Sequence, residues 1–299
     1  MGLFQRLVVA AIPMIPRSVV ARVARRYIAG ENLAQAVECV GGLRAEGCGS
    51  TLDVLGEFVT TPEQASGTAA EYRRAAAALR EAGLPVNLSV KLTAFGLLFD
   101  EPGCGRLVEE VARDAAAAGG FLRVDMEDSP CTDRTLALHD RLRAAGLPVG
   151  VVLQARLRRT PRDAARLAAE GASVRLCKGI YLEPEEIAHT GADEIRAAFL
   201  ECLEVLLRGK GRVAIATHDA RLVEGAEAML RRLAVPRERY EFQMLLGVLP
   251  ALRRSLVARG HALRVYVPYG TDWFAYSTRR LRENPEVAGH VFRAMFTRG

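Results

Sequence analysis

The sequence predicts an α/β fold, a (β/α)8 TIM-type barrel preceded by N-terminal helices. Three observations carry that prediction. The chain has 299 residues, about right for one large α/β barrel of roughly 250 residues. After Gly47, short β-rich runs alternate with Ala-, Arg- and Glu-rich helical runs, the mark of repeated βα units around a parallel sheet. The segment Ala82-Gly-Leu-Pro-Val86 recurs as Ala145-Gly-Leu-Pro-Val149. Each copy ends a helix with Gly and starts a strand after Pro.

The elements follow in order. Residues 1–45 read as a helical segment, with apolar positions at helical spacing in Val19 to Ile28 and in Leu33 to Val40. Residues 46–299 form the barrel. Its strands are expected at Ser50 to Val54, Val86 to Val90, Phe121 to Val124, Val149 to Leu153, Ser173 to Leu176, Val213 to Ala216, Tyr240 to Phe242 and Leu263 to Tyr266. Helices are expected between them, among them Glu63 to Ala82, Arg134 to Ala145, Arg162 to Glu170, Glu194 to Leu207 and Ala220 to Leu233. A last helix, capped by Asp272, runs to about Glu283. A doubly wound open sheet shares this local pattern, but it usually carries a Gly-rich phosphate turn after its first strand. Here that strand leads into Gly56-Glu-Phe-Val, and no G-x-G-x-x-G or Walker sequence occurs.

Composition narrows the function classes. Half of the residues are hydrophobic and a quarter charged, as in ordered globular proteins. The net charge of +6 is spread along the helices without interleaved aromatics, which argues against nucleic-acid binding. Only Lys91, Lys178 and Lys210 are lysines, in a chain that otherwise uses arginine. The six cysteines show no C-x-x-C spacing, so reduced thiols in a cytoplasmic protein are expected. The apolar run Leu7 to Ile15 is short and broken by Pro13, and reads as neither signal peptide nor membrane span. The five histidines have no metal-ligand spacing and there is no G-x-S-x-G, so neither a metal site nor a serine nucleophile elbow is expected.

In a barrel of this kind chemistry gathers at the C-terminal ends of the strands. The residues there are polar: Lys91, Asp125, Gln154, Arg175 with Lys178, Thr217 with His218, Gln243 and Tyr266. Any one of them has an ordinary structural explanation, but so many at one mouth point to a binding pocket. A desolvated Lys178 could act as a Schiff-base nucleophile. Arg279 and Arg280 are helix neighbours, about 100° apart, so both face the mouth only if the last helix crosses it. Two guanidiniums on one pocket would clamp a carboxylate or phosphate. At this level a Lys178 lyase and a carboxylate-binding barrel without turnover both stay open.

Successive segments then resemble one family. Asn87-Leu-Ser-Val-Lys-Leu-Thr93, Val124-Asp-Met-Glu-Asp128, Val152-Leu-Gln-Ala155, Val174-Arg-Leu-Cys-Lys-Gly-Ile-Tyr181, Ala216-Thr-His-Asp219, Phe242-Gln-Met-Leu245, Val265-Tyr-Val-Pro-Tyr-Gly270 and Arg279-Arg-Leu-Arg-Glu283 look like the strand-end motifs of monofunctional, FAD-dependent bacterial proline dehydrogenases. The resemblance implies oxidation of L-proline to Δ1-pyrroline-5-carboxylate by hydride transfer to FAD. Electrons then pass to a quinone, with peripheral contact at the inner face of the membrane, and a separate pyrroline-5-carboxylate dehydrogenase receives the product.

The resemblance also implies roles for residues. Lys91, Arg279 and Arg280 hold the substrate carboxylate, and Tyr266 and Leu245 lie against its ring. Asp125 is an active-site acid beside Lys91. Met126, Gln154, Arg175, Lys178, Gly179, Ile180, Thr217 and His218 line the FAD, with Arg175 near the reactive edge of the isoalloxazine. Barrel closure sets the first and eighth units side by side, so Glu57 is expected within reach of Arg279 as a gate that closes on bound substrate. Three positions depart from the family pattern: Ile180 stands for Ala, Cys177 for Val and Arg156 for Tyr. Arg156 is the one expected to alter the cofactor's surroundings.

Overall fold

The computed structural model describes residues 26–274. Eight parallel strands close into a barrel in the order β1 to β8: Gly49–Val54, Asn87–Val90, Phe121–Val124, Val149–Gln154, Ser173–Cys177, Val213–Ala216, Tyr240–Leu245 and Leu263–Tyr269. Closure is made by β1 against β8, in register from Gly49 with Arg264 to Val54 with Tyr269. The helices are α1 (Leu33–Ala45), α2 (Pro62–Glu81), α3 (Glu101–Ala117), α4 (Thr132–Ala144), α5 (Thr160–Ala169), α6 (Ala192–Arg208), α7 (Ala220–Arg232) and α8 (Pro250–Ala258).

Local chemistry sets the boundaries. Thr61 and Gln64 form a reciprocal capping box ahead of α2, with Pro62 in its first turn. The repeated Ala-Gly-Leu-Pro segments end α2 and α4 in the same way. Gly83 and Gly146 take φ of 65° and 75°, Leu84 N bonds back to Leu79 O and Leu147 N to Leu142 O, and both ends are Schellman motifs. β7 and β8 run three residues further than their sequence patterns indicate, because Leu245 still finds a ladder partner in Tyr266 and Tyr269 one in Val54.

At the N-terminal side, residues 26–28 form a turn and bend instead of the end of a helix, and Ala29 N is drawn onto Pro268 O at 2.8 Å. The remainder of the expected Val19 helix lies outside the described residues. Helix α1 buries Ala36, Val40 and Leu43 against β1 and β8. It therefore occupies the groove that a helix following β8 would cover in a regular barrel. A helical turn begins at Trp273, directly after Asp272, and its continuation lies outside the described residues.

The strands alternate sides as their geometry demands. Leu52, Leu88, Leu122, Val151, Val174, Ile215, Phe242 and Val265 join the apolar core beneath the helices. The opposite face, which fills the barrel, is polar. It carries Asp53, Ser89, Arg123, Asp125, Arg175, Glu241 and Gln243, all buried. Arg175 on β5 bonds to residues of β2 and β7 and to Asp125 directly after β3, contacts that only side chains pointing into the barrel can make.

Candidate active site

The polar interior forms one hydrogen-bonded chain from base to mouth. At the base, Glu241 accepts from Arg264 Nε at 2.8 Å and from Arg212 Nη2 at 2.9 Å. Burial alone would raise the Glu241 pKa, but Arg264 and Arg212 outweigh it and hold the carboxyl at about 2. Gln243 Nε2 donates to Glu241 Oε1 at 2.5 Å, and Gln243 Oε1 accepts from Arg175 Nε at 2.5 Å. Arg175 then reaches Asp125 Oδ1 at 2.7 Å and Ser89 Oγ at 3.0 Å. Tyr266 Oη donates to Asp125 Oδ2 at 2.8 Å. Burial, with Asp125 and Asp53 nearby, pushes the Tyr266 phenol well above its ordinary pKa and keeps it a donor.

Lys91 completes the chain. Its ammonium donates to Tyr266 Oη at 3.1 Å and to Asp53 Oδ1 at 2.6 Å. Among the described residues Asp125, expected beside Lys91, is linked to it through Tyr266, while Lys91 donates directly to Asp53. Asp53 is fully buried and its Oδ2 has no hydrogen-bond partner among the described residues. Burial raises its pKa, Lys91 only partly offsets this, and Asp125 adds to the rise. Tyr72 of α2 braces the pair, donating to Ser89 O at 2.6 Å and accepting from Val54 N at 3.1 Å.

Asp53, Ser89, Tyr72 and Glu241 were not among the sequence candidates. Asp53 carried one signal, an acid at the same strand parity as Thr51 between apolar neighbours. Tyr72 carried none, because a tyrosine in a helix does not announce which strands it braces.

The other candidates divide into a rim and a floor. Gln154 Nε2 donates to Glu127 O at 2.8 Å and Met126 is buried beside it. Lys178 pairs with Asp219 at 3.2 Å and its side chain is 43% exposed. A half-exposed, ion-paired ammonium is not the desolvated amine that Schiff-base chemistry requires. Gly179 has φ of 97°, and a Cβ there would lie 2.8 Å from Arg156 Cγ and Cδ. Arg156 thus packs its stem on Gly179 and donates to Tyr181 O at 2.5 Å, tying down the loop that presents Lys178 and Ile180. Thr217 Oγ1 accepts from Asp219 N, and His218 Nε2 accepts from Leu245 N at 2.9 Å. Glu57 faces Lys91 at 3.9 Å. Arg279 and Arg280 lie outside the described residues, and with them the expected contact to Glu57.

The mouth is apolar at its edge. Every large hydrophobic side chain that is exposed among the described residues, Phe58, Leu98, Phe99, Ile180, Leu182, Ile187 and Leu249, stands in a loop after a strand's C-terminal end. Phe58 and Leu249 also hold left-handed φ of 53° and 42°, a strained state that functional loops retain. Exposed apolar groups confined to one face mark a binding surface.

The family model described as proline dehydrogenase matches residues 36–293. The chain belongs to the proline dehydrogenase family. Among curated relatives, a proline dehydrogenase of Deinococcus radiodurans is 33% identical over 95% of this chain and 93% of its own length. Proline dehydrogenase 1 of Bacillus subtilis is 32% identical over 91% and 90%. The solved structure of proline utilization A from Bdellovibrio bacteriovorus inactivated by N-propargylglycine superposes with a TM-score of 0.81 at 27% identity, covering 89% of this chain. This chain covers 33% of that larger chain. No helix among the described residues is long and apolar enough to cross a membrane.

Proposed function

We propose that the chain is an FAD-dependent L-proline dehydrogenase that forms Δ1-pyrroline-5-carboxylate and delivers its electrons to a quinone at the membrane surface. The observation that carries the reading is the buried chain Arg175–Asp125–Tyr266–Lys91, standing at the mouth in a member of this family. FAD, when bound, supplies the acceptor for the hydride. The residues fit such a group: a glycine whose Cα has no room for a side chain, a half-exposed lysine for phosphate, and an apolar rim for a flat ring system. Met126, Gln154, Arg175, Lys178, Gly179, Ile180, Thr217 and His218 would hold it.

Charge bookkeeping at the mouth identifies what else the reading needs. Among the described residues Lys91 and Arg175 face Asp53, Asp125 and Glu57, two cations against three acids. Such a mouth does not attract a carboxylate. Arg279 and Arg280 would reverse the sign and grip the substrate carboxylate together with Lys91, in the rigid hold that positions a reacting carbon. The groove beside β8 and β1 is filled by α1. A net cationic pocket also disfavours the protonated form of the substrate nitrogen, from which hydride cannot leave. Tyr266 and Leu245 would bear on the substrate ring, with Asp125 holding the Tyr266 hydroxyl in place.

A visible spectrum of the purified protein with FAD, recorded before and after proline, tests the reading. A flavin band bleached by proline is expected, with colour restored by a soluble quinone faster than by oxygen. A colourless protein, or a flavin that proline leaves oxidised, would sink it.

A further inference from the structure

We propose that Gln243 is a positioning residue for Arg175, and that Glu241 fixes which way the Gln243 amide points. The inference rests on the reading above for the importance of Arg175, but its geometry stands alone. An amide offers an acceptor at one end and donors at the other, and the two ends look alike until their neighbours are known. Here the neighbours decide. Glu241 accepts at 2.5 Å and cannot donate while ionised, so Gln243 must present its NH2 to Glu241 and its carbonyl oxygen to Arg175 Nε. Arg264 and Arg212 keep Glu241 ionised.

The consequence appears at Arg175. An arginine has five N–H donors in one rigid plane. Gln243 takes the Nε–H, Asp125 one donor of Nη1 and Ser89 one donor of Nη2. Three contacts, from β2, β7 and the residue after β3, fix the plane, and the remaining donor on each terminal nitrogen has a set direction. Asp125 and Ser89 alone hold one edge of the guanidinium and leave it free to tilt. Among the described residues the hydrogen bonds of the Gln243 side chain go to Arg175 and Glu241.

Gln243→Met keeps the volume and removes both bonds. Gln243→Glu is the rescue: two carboxylates at this distance share a proton, so the new acid's O–H donates to Glu241 while its carbonyl accepts from Arg175. In nitrogen-labelled protein without flavin, the Arg175 Nε–H resonance, identified by its loss in Arg175→Lys, should exchange slowly in the parent, rapidly in Gln243→Met and slowly again in Gln243→Glu. A coupling through the hydrogen bond from Arg175 Nε to the Gln243 carbonyl carbon tests the contact in the unsubstituted protein, should Gln243→Met not fold.

With FAD bound, Gln243→Met should weaken the reduced flavin relative to the oxidised about tenfold, about 30 mV for a two-electron couple, and Gln243→Glu should restore the parent potential. An unchanged Nε–H exchange rate, or a flavin potential that Gln243→Met leaves unmoved, overturns the proposal. A chain that takes up no FAD defeats the functional reading instead, and the exchange measurement still decides the inference.

Discussion

Glu241 at the base of the barrel and Asp53 near its mouth are both buried carboxylates bonded to a cation, yet their proton affinities move in opposite directions. Glu241 has two arginines and an amide, and both its oxygens are engaged. Among the described residues Asp53 has Lys91 and, at 3.4 Å, the Tyr72 hydroxyl on Oδ1, no hydrogen bond on Oδ2, and Asp125 as an unfavourable neighbour. Around Glu241 the network is finished, and it ties Arg212 ahead of β6 to β7, β8 and, through Arg264 on Ser50 O, β1. Near the mouth, by contrast, Asp53 Oδ2 is left without a partner among the described residues.

The largest expected effect breaks the finished end. Glu241→Gln leaves Arg264 buried without its acid and should cost about 3–5 kcal/mol, read as a fall in the denaturant midpoint. Because the native pKa lies below the ordinary value of 4.5, this contribution is complete above that value and is lost as pH falls towards 2. Equal stability of parent and variant at neutral pH would show that the base network is decorative.

Arg279→Met and Arg280→Met test the unfinished end from the substrate's side. Each should raise KM for proline by a factor equivalent to about 2–5 kcal/mol while leaving flavin content at the parent level. A parent KM in both variants would remove the clamp, and with it the reversal of charge that the mouth requires.

Lys91→Met sharpens the contrast. It should also raise KM, yet cost less stability than Glu241→Gln, because Asp53 can take up a proton where Arg264 cannot lose one. Since burial raises the Asp53 pKa in the folded state, the variant should be most stable below the ordinary carboxylate range and lose stability as pH rises through it. Against the parent, the cost of Glu241→Gln should therefore grow between about pH 2 and 4.5, and that of Lys91→Met as pH rises above the ordinary carboxylate range. Costs that grow over the same pH window would mean that the ends do not differ.

The smallest effect concerns Glu57. A carboxylate inhibitor should protect the backbone of residues 56–61 against hydrogen exchange, and Glu57→Gln should weaken that protection by at most about 1 kcal/mol. Glu57 already faces Lys91, so a loop whose exchange ignores the inhibitor would make Glu57 part of the resting site and not a gate.

Much of this was legible beforehand. All eight strands lie where alternating patterns and Gly-Leu-Pro punctuation put them, because strand parity and helix ends are local properties. Lys91, Asp125, Arg175 and Tyr266 were legible as strand-end polar residues. Their pairing was not: Lys91 bonds to Asp53, 38 positions earlier, and Arg175 to Gln243, 68 positions later. Arg156 was legible only as a departure, and its packing on Gly179 depends on β4 and β5 being neighbours.

By itself the sequence determined the βα repeat, the polar character of the strand ends and the family. Each of these is written in residue types at short spacing, where backbone geometry leaves few alternatives. Only the tertiary structure decided that α1 takes the place beside β8, that the barrel is filled by charge, and which buried acid is satisfied. Those outcomes depend on closure, which brings side chains from distant strands within hydrogen-bond reach and excludes the water that would otherwise make their pairing indifferent.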